Sequence, residues 1–195
     1  MIITPLNITF DVDWAIEYYN ELENNWLRLK GTMPDDYFYK SLRNAYGWTF
    51  QVPVDWDISI PYPKTAGWEI VGRENFKDTE MAFGFAKSML DTFDTGFRAF
   101  IAVCPPGTHF EPHTDGNADI LVRGWMPIIT NDSFKWITEE GPIVLTPGIA
   151  YMIDIAHTHE VINDGSTNGV SLVFDIPRQD MNRYKTMKTH ISSKC

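Results

Sequence analysis

The sequence predicts a mainly β protein, a barrel or jelly roll with helices braced against it, and three observations carry that expectation. From Phe97 onward, short runs rich in β-branched and aromatic residues succeed one another at 97–104, 109–113, 119–129, 134–137, 143–146, 149–155, 159–163 and 169–176. Turn signals separate them: Pro105-Pro106-Gly107, Asp115-Gly116-Asn117, Thr130-Asn131-Asp132, Glu139-Glu140-Gly141-Pro142, Pro147-Gly148 and Asn163-Asp164-Gly165-Ser166. Upstream of Gly96 two segments, from Trp14 to Leu29 and over 75–92, carry apolar residues at helical spacing instead. Eight strands so closely spaced leave no room for helical crossovers, which excludes alternating β-α units.

In chain order, Asp11 or Asp13 is a cap for an amphipathic helix. Trp14, Ile16, Tyr18, Tyr19, Leu22, Trp26 and Leu29 fall near one face, and Arg28 and Lys30 end it. Residues 31–64, rich in Pro, Gly and aromatics without a period, read as loops and short strands. A second helix is expected over 75–92, where Phe76, Met81, Phe85, Met89 and Phe93 recur. The basic stretch Arg183–Lys194 reads as a solvated terminal extension. The expected organisation is one domain over 1–195. Residues 1–95 would be helical and loop support and a pocket lid, 96–177 the β core, and 178–195 a tail.

Composition narrows the function. With 195 residues and 44% hydrophobic content, the chain can bury one sizeable core. A net charge of −10, with 16 Lys and Arg, makes a field that repels a phosphate backbone, so nucleic acid is not an expected partner. The longest apolar runs, Phe97–Pro105 and Ile149–Ile155, are too short to span a bilayer, so no membrane partner is expected either. The start Met1-Ile2-Ile3-Thr4-Pro5 lacks the basic and apolar segments of a secretory signal. Cys104 and Cys195 are too few for a disulfide framework. Both features lead us to expect a cytoplasmic location. Twelve Phe, eight Tyr and seven Trp suit a thick β core or an enclosed pocket for a small-molecule or peptide substrate.

The chemistry concentrates in His113-Thr114-Asp115. Residues two apart in an extended segment project to one side, so a strand end there offers an imidazole and a carboxylate together. A second cluster, His157-Thr158-His159, follows several strands later. Two imidazoles and a carboxylate on one side of an ion form the facial triad of non-haem Fe(II) enzymes, with positions left open for co-substrate and oxygen. His109 and His190 read as structural.

These pieces carry a family resemblance. Pro112-His113-Thr114-Asp115, Arg123 to Asn131, Leu145-Thr146-Pro147-Gly148, Asp154 with His159 to Gly165, and Leu172-Val173-Phe174-Asp175 resemble the aspartyl/asparaginyl β-hydroxylase branch of the Fe(II)/2-oxoglutarate dioxygenases. The resemblance covers about a third of the chain and implies a double-stranded β-helix, the jelly-roll or cupin fold. It implies His113, Asp115 and His159 as metal ligands and catalytic residues. His159 is preferred to His157 because it opens the run His-Glu-Val-Ile-Asn. It further implies Fe(II), 2-oxoglutarate and O2, and hydroxylation of a C–H bond of an amino acid, free or in a peptide. His157 becomes a neighbour, and Asp154 a residue that fixes a turn or orients an imidazole.

Two positions depart from that pattern. The Arg that the family places ten residues after the distal His, to pair with the far carboxylate of 2-oxoglutarate, is Gly169 here. The family's Arg-x-His on the middle strand reads Arg123-Gly124-Trp125. A buried dianion needs a cation, and Arg123 is the first candidate, Arg98 the second, with Lys135 and Arg178 behind them. Arg123, Trp125 and Arg98 are therefore the expected co-substrate contacts. Two other readings fit the same sequence: a cupin-like metal enzyme acting directly on its ligand without 2-oxoglutarate, and a non-enzymatic ligand-binding barrel.

Overall fold

Strand Gly169–Pro177 is almost continuously apolar and buried along its length, as a strand covered on both faces must be. It runs through the middle of a large sheet in the computed structural model, which describes residues 1–29, 38–40, 44–56 and 70–193. The first strands are β1 (Ile3–Phe10), β2 (Phe38–Lys40), β3 (Tyr46–Thr49), β4 (Gln51–Pro53) and β5 (Phe76–Asp78). Strands β6 (Phe97–Cys104), β7 (Thr108–His113), β8 (Leu121–Ile129), β9 (Phe134–Thr138) and β10 (Gly141–Ile143) follow. The last are β11 (Ile149–Ile153), β12 (His159–Asn163), β13 (Gly169–Pro177) and β14 (Thr189–Ile191). The helices are α1 (Val12–Leu29), α2 (Gly84–Thr92) and α3 (Met181–Thr186).

The large sheet has the order β14-β1-β11-β8-β13-β6-β3-β2, the small one β10-β9-β12-β7, and β4 pairs with β5. The fold is mainly β with few helices, a double-stranded β-helix of the cupin type. Alternation along each strand of the large sheet sorts its side chains into two cores. Outward, Ile101, Val122, Met126, Met152, Leu172 and Phe174 meet Tyr18, Leu22, Phe85 and Met89 of α1 and α2. Inward, Phe97, Trp125, Tyr151, Ile153 and Val173 meet Phe134, Trp136 and Val161 of the small sheet. Burying a side chain such as Phe85 fully is worth about 1.5–3 kcal/mol, so the helices are held by their apolar stripes rather than by propensity.

Helix α1 starts as expected. Asp11 caps it, its Oδ1 accepting from the Trp14 N–H at 3.1 Å. The second helix is shorter than the spacing predicts. Residues 76–78 pair with β4, and the Thr79 N–H and hydroxyl donate to the carbonyls of Phe50 and Thr49. The spacing of Phe76 and Met81 thus comes from a strand and a turn, and the helix begins at Gly84.

The β core also draws on more than 96–177. β1 pairs with β11 and β3 with β6, so the N-terminal part supplies sheet as well as support. The expected tail is structured too. Tyr184 of α3 is fully buried with its hydroxyl on Asp94 and Thr95, and β14 runs parallel to β1. The run 143–146 is strand only at its start, because the pairing with β9 spans Gly141–Ile143. Much of the reading for 31–64 falls on 31–37, 41–43 and 57–64, outside the described residues.

Candidate metal centre

The small sheet builds the site. β7 and β12 run antiparallel with His113 directly opposite His159, so the two rings lie side by side with centroids 4.5 Å apart. Asp115 follows β7 by two residues, and its N–H donates to the carbonyl of Ile155 at 3.2 Å, tying the proximal loop to the segment that leads into β12. One ligand atom from each of His113, Asp115 and His159 lies within 4.8 Å of the others. The structure therefore brings together the three residues singled out in sequence.

Hydrogen bonding fixes both imidazoles in the same sense. His113 Nδ1 lies 2.6 Å from the carbonyl oxygen of Glu111, and His159 Nδ1 lies 2.9 Å from that of His157. A carbonyl can only accept, so each Nδ1 carries the hydrogen and each Nε2 keeps a lone pair. Those Nε2 atoms are the ones facing Asp115, at 3.5 Å and 3.9 Å. Burial holds the pKa of His159 below the ordinary range, which keeps the ring neutral near pH 7. Neutral imidazoles oriented by their second nitrogen, with one carboxylate, are the donor chemistry that suits Fe(II).

Asp115 is also the end of a charge chain. Its Oδ2 lies 2.6 Å from Arg123 Nη1, a close ion pair. Arg123 Nε and Nη2 both donate to Asp175 Oδ1 at 3.2 Å, and Arg98 Nη1 reaches Asp175 Oδ2 at 3.0 Å. Arg98 Nη2 donates to the carbonyl of Ile70. Both arginines proposed as cations for a co-substrate are thus engaged by Asp175, whose role the sequence reading missed. Its signal was a lone charge in the apolar run of β13.

Trp125 and Trp136 meet edge to face with centroids 4.8 Å apart, and Trp136 lies 5.3 Å from the His159 ring. Nε1 of both indoles and Oγ of Ser171 are buried without a hydrogen-bond partner among the described residues. Gly169 is closed off: a Cβ there would stand 2.4 Å from the Phe134 ring. Gly124, between Arg123 and Trp125, faces the Phe174 ring in the same way.

His157 offers its carbonyl to the site while its exposed ring faces Glu139. Asp154 fixes a turn through the Ala156 N–H and receives Arg178 on both oxygens, at 2.7 and 3.0 Å. Arg178 also donates to the carbonyls of Ala118 and Leu121, so it ties the two ligand-bearing loops together. His109 pairs with Glu160, and His190 with Thr9. Burial pushes the Cys104 thiol up to about 12, which makes it inert.

A model of the aspartyl/asparaginyl β-hydroxylase family matches residues 70–179, more than half of the chain and the whole of the segment that carries these groups. The chain belongs to that family. It is accordingly an enzyme of a 2-oxoglutarate-Fe(II) hydroxylase family with a His-Asp-His candidate triad. No curated protein matches it in sequence. A Pseudomonas putida prolyl-4-hydroxylase is similar in structure, with 10% identity and a TM-score of 0.50 over 91% of this chain and 93% of that one. A 2OG-Fe(II) oxygenase family oxidoreductase from Burkholderia pseudomallei gives 15% identity and a TM-score of 0.49 over 83% and 89% of the two chains. A viral collagen prolyl hydroxylase from Paramecium Bursaria Chlorella virus-1 gives 11% and 0.48 over 90% and 96%. At such identities the likeness is one of fold. No helix among the described residues is long and apolar enough to cross a membrane.

Proposed function

We propose that the protein hydroxylates a C–H bond of an amino acid, free or within a peptide, with Fe(II) held by His113, Asp115 and His159 and 2-oxoglutarate as co-substrate. The observation that carries this reading is the convergence of three metal-ligating atoms within 4.8 Å, both imidazoles oriented by backbone carbonyls. When bound, the ion and the 2-oxo acid together supply oxygen activation. The chain's contribution is to hold that donor set, to exclude water with the indoles of Trp125 and Trp136, and to balance charge.

Charge supports a dianionic co-substrate without a dedicated arginine at its far end. Asp115 and Asp175 cancel Arg98 and Arg123, so a divalent ion leaves the centre at two positive charges, which a dianion neutralises. Arg123, beside a metal-ligating carboxylate, belongs to the near end of such a co-substrate. For the far carboxylate, Trp125 Nε1, Trp136 Nε1 and Ser171 Oγ are donors on inward-facing positions that have no partner among the described residues. Such groups cost free energy when left without an acceptor and return it when one arrives.

Anaerobic titration of the Fe(II) protein with 2-oxoglutarate tests the reading through the visible charge-transfer band of the chelate. The expected result is saturable binding that Trp125→Phe, which keeps an aromatic ring and removes the N–H, weakens by about tenfold, the equivalent of about 1.4 kcal/mol. One observation favours a second reading, a metal enzyme acting directly on its ligand: Phe134 fills the space at Gly169 that the family's arginine would need. Metal binding with no band at millimolar 2-oxoglutarate would establish that alternative.

A further inference from the structure

Asp175 is not one of the three candidate ligands, yet it is 2% exposed and gathers two guanidinium groups. It and Arg123 are cross-strand partners on β13 and β8, on the inward face. On its other side the regular partner would be Arg98 of β6, but the register slips: Val173 faces Phe100 and Asp175 faces Phe97, so β6 holds one extra residue. The slip contains Arg98, a non-glycine residue at φ 55°. An L side chain is rarely held in that region unless its surroundings over-determine it. Here they do. Gln51 Oε1 accepts the Ala99 N–H, the Ala99 carbonyl accepts from Phe50, and Arg98 is drawn onto Asp175 and the Ile70 carbonyl.

We propose that Asp175 is a positioning residue of the metal centre. With Arg98 as its counter-charge, it fixes the fork of Arg123, and Arg123 in turn holds the carboxylate of Asp115 beside the two Nε2 atoms. The proposal rests on the metal reading given above. Asp115 lies in the turn Asp115-Gly116-Asn117, beyond the last paired residue of β7, where a side chain is otherwise free to change rotamer. Its backbone tie to Ile155 fixes the peptide, not the carboxylate. Arg123 reaches that carboxylate through a long, rotamer-rich side chain, whose planar fork Asp175 preorganises through Nε and Nη2. The buried pair also matters by charge. Without the carboxylate of Asp175, two guanidinium groups would face one carboxylate, and the centre would repel a cation before it arrived.

Mn(II) titration followed by electron paramagnetic resonance reads this directly, because the free aquo ion and the bound ion give different spectra. Asp175→Asn is expected to weaken Mn(II) binding by about 10- to 100-fold, the range typical of groups that orient metal ligands, and to broaden the bound spectrum. Because Asp175 acts through Arg123, the double variant Asp175→Asn/Arg123→Met should bind no more weakly than Arg123→Met alone. Losses that add, or Mn(II) affinity within twofold of the parent in a folded Asp175→Asn, would overturn the proposal. Should Asp175→Asn not fold, Arg123→Lys keeps the charge, removes the fork and leaves Asp175 in place. The same 10- to 100-fold loss supports the relay, and parental affinity refutes it. A parent that binds no Mn(II) defeats the metal reading and the relay with it, whereas a binding parent with indifferent variants defeats the relay alone.

Discussion

The two ends of the space between the sheets differ in how far they follow the family. At the near end, where β7 and β12 meet, the groups expected of a facial triad are all present, and both imidazoles are locked by the carbonyls two residues before them. At the far end, where β13 begins, the expected arginine is replaced by Gly169 and the Phe134 ring fills its space. The contrast teaches that the two ends depart from the family pattern independently. The near end depends on strand ends and short loops, the far end on which side chains meet across the interior.

The sharpest way to break the comparison is at the near end. Asp115→Ala or His159→Ala should abolish stoichiometric Mn(II) or Fe(II) binding, a loss beyond the ~10–100-fold typical of supporting groups. His157→Ala should bind metal like the parent, because its carbonyl and not its ring serves the site. Elemental analysis after desalting measures all three. Full occupancy in either ligand variant would remove the triad from the metal.

The far end is tested by restoring what the family has there. Gly169→Arg must displace the Phe134 ring, an overpacking that costs about 1–3 kcal/mol or more. In a Phe134→Ala background the same change should cost less, since the vacated volume accepts part of the new side chain. Thermal unfolding of the four proteins gives the coupling energy, and equal costs in both backgrounds would show that Phe134 does not close the position. If 2-oxoglutarate binds the double variant more tightly than the parent, the far end has been converted to a cationic one.

Legibility in the sequence follows the same division. His113, Asp115 and His159 could be read because a two-residue spacing on an extended segment fixes their relative direction. The strand rhythm from Phe97 was readable because each run ends in a turn signal, and α1 because its apolar stripe is long. What could not be read depends on pairing across distance. Arg98, Arg123 and Asp175 sit on three strands far apart in sequence, and nothing local says that a bulge at Arg98 will turn it onto Asp175. Phe76 and Met81 show the limit of periodicity, since a spacing of five serves a strand and turn as well as a helix. β1 and β14 were missed because each gains its hydrogen bonds from strands far along the chain, β1 from β11 and β14, and β14 from β1.

The smallest effect concerns the clamp that joins the two ligand-bearing loops. Arg178 donates to both oxygens of Asp154 and to the carbonyls of Ala118 and Leu121, so the loop after Asp115 and the loop before His159 share one guanidinium. Those bonds hold the Asp154 carboxyl below the usual carboxylate range, and partial burial opposes them only in part. A folded pKa below the unfolded one means that the carboxylate stabilises the fold fully above the unfolded value, near 4, and loses that contribution as pH falls through the folded one. The pair is about a quarter to a third exposed, so solvent screening limits it to about 1 kcal/mol. Asp154→Asn should therefore unfold more easily than the parent at pH 7 by about that amount, and the two should converge as pH drops below about 4. Denaturant melts of both proteins from pH 7 to pH 3 measure the difference. A gap that stayed constant to the acid end would mean that Asp154 acts through its neutral hydrogen bond to Ala156, and the charge of the clamp would then play no part in joining the loops.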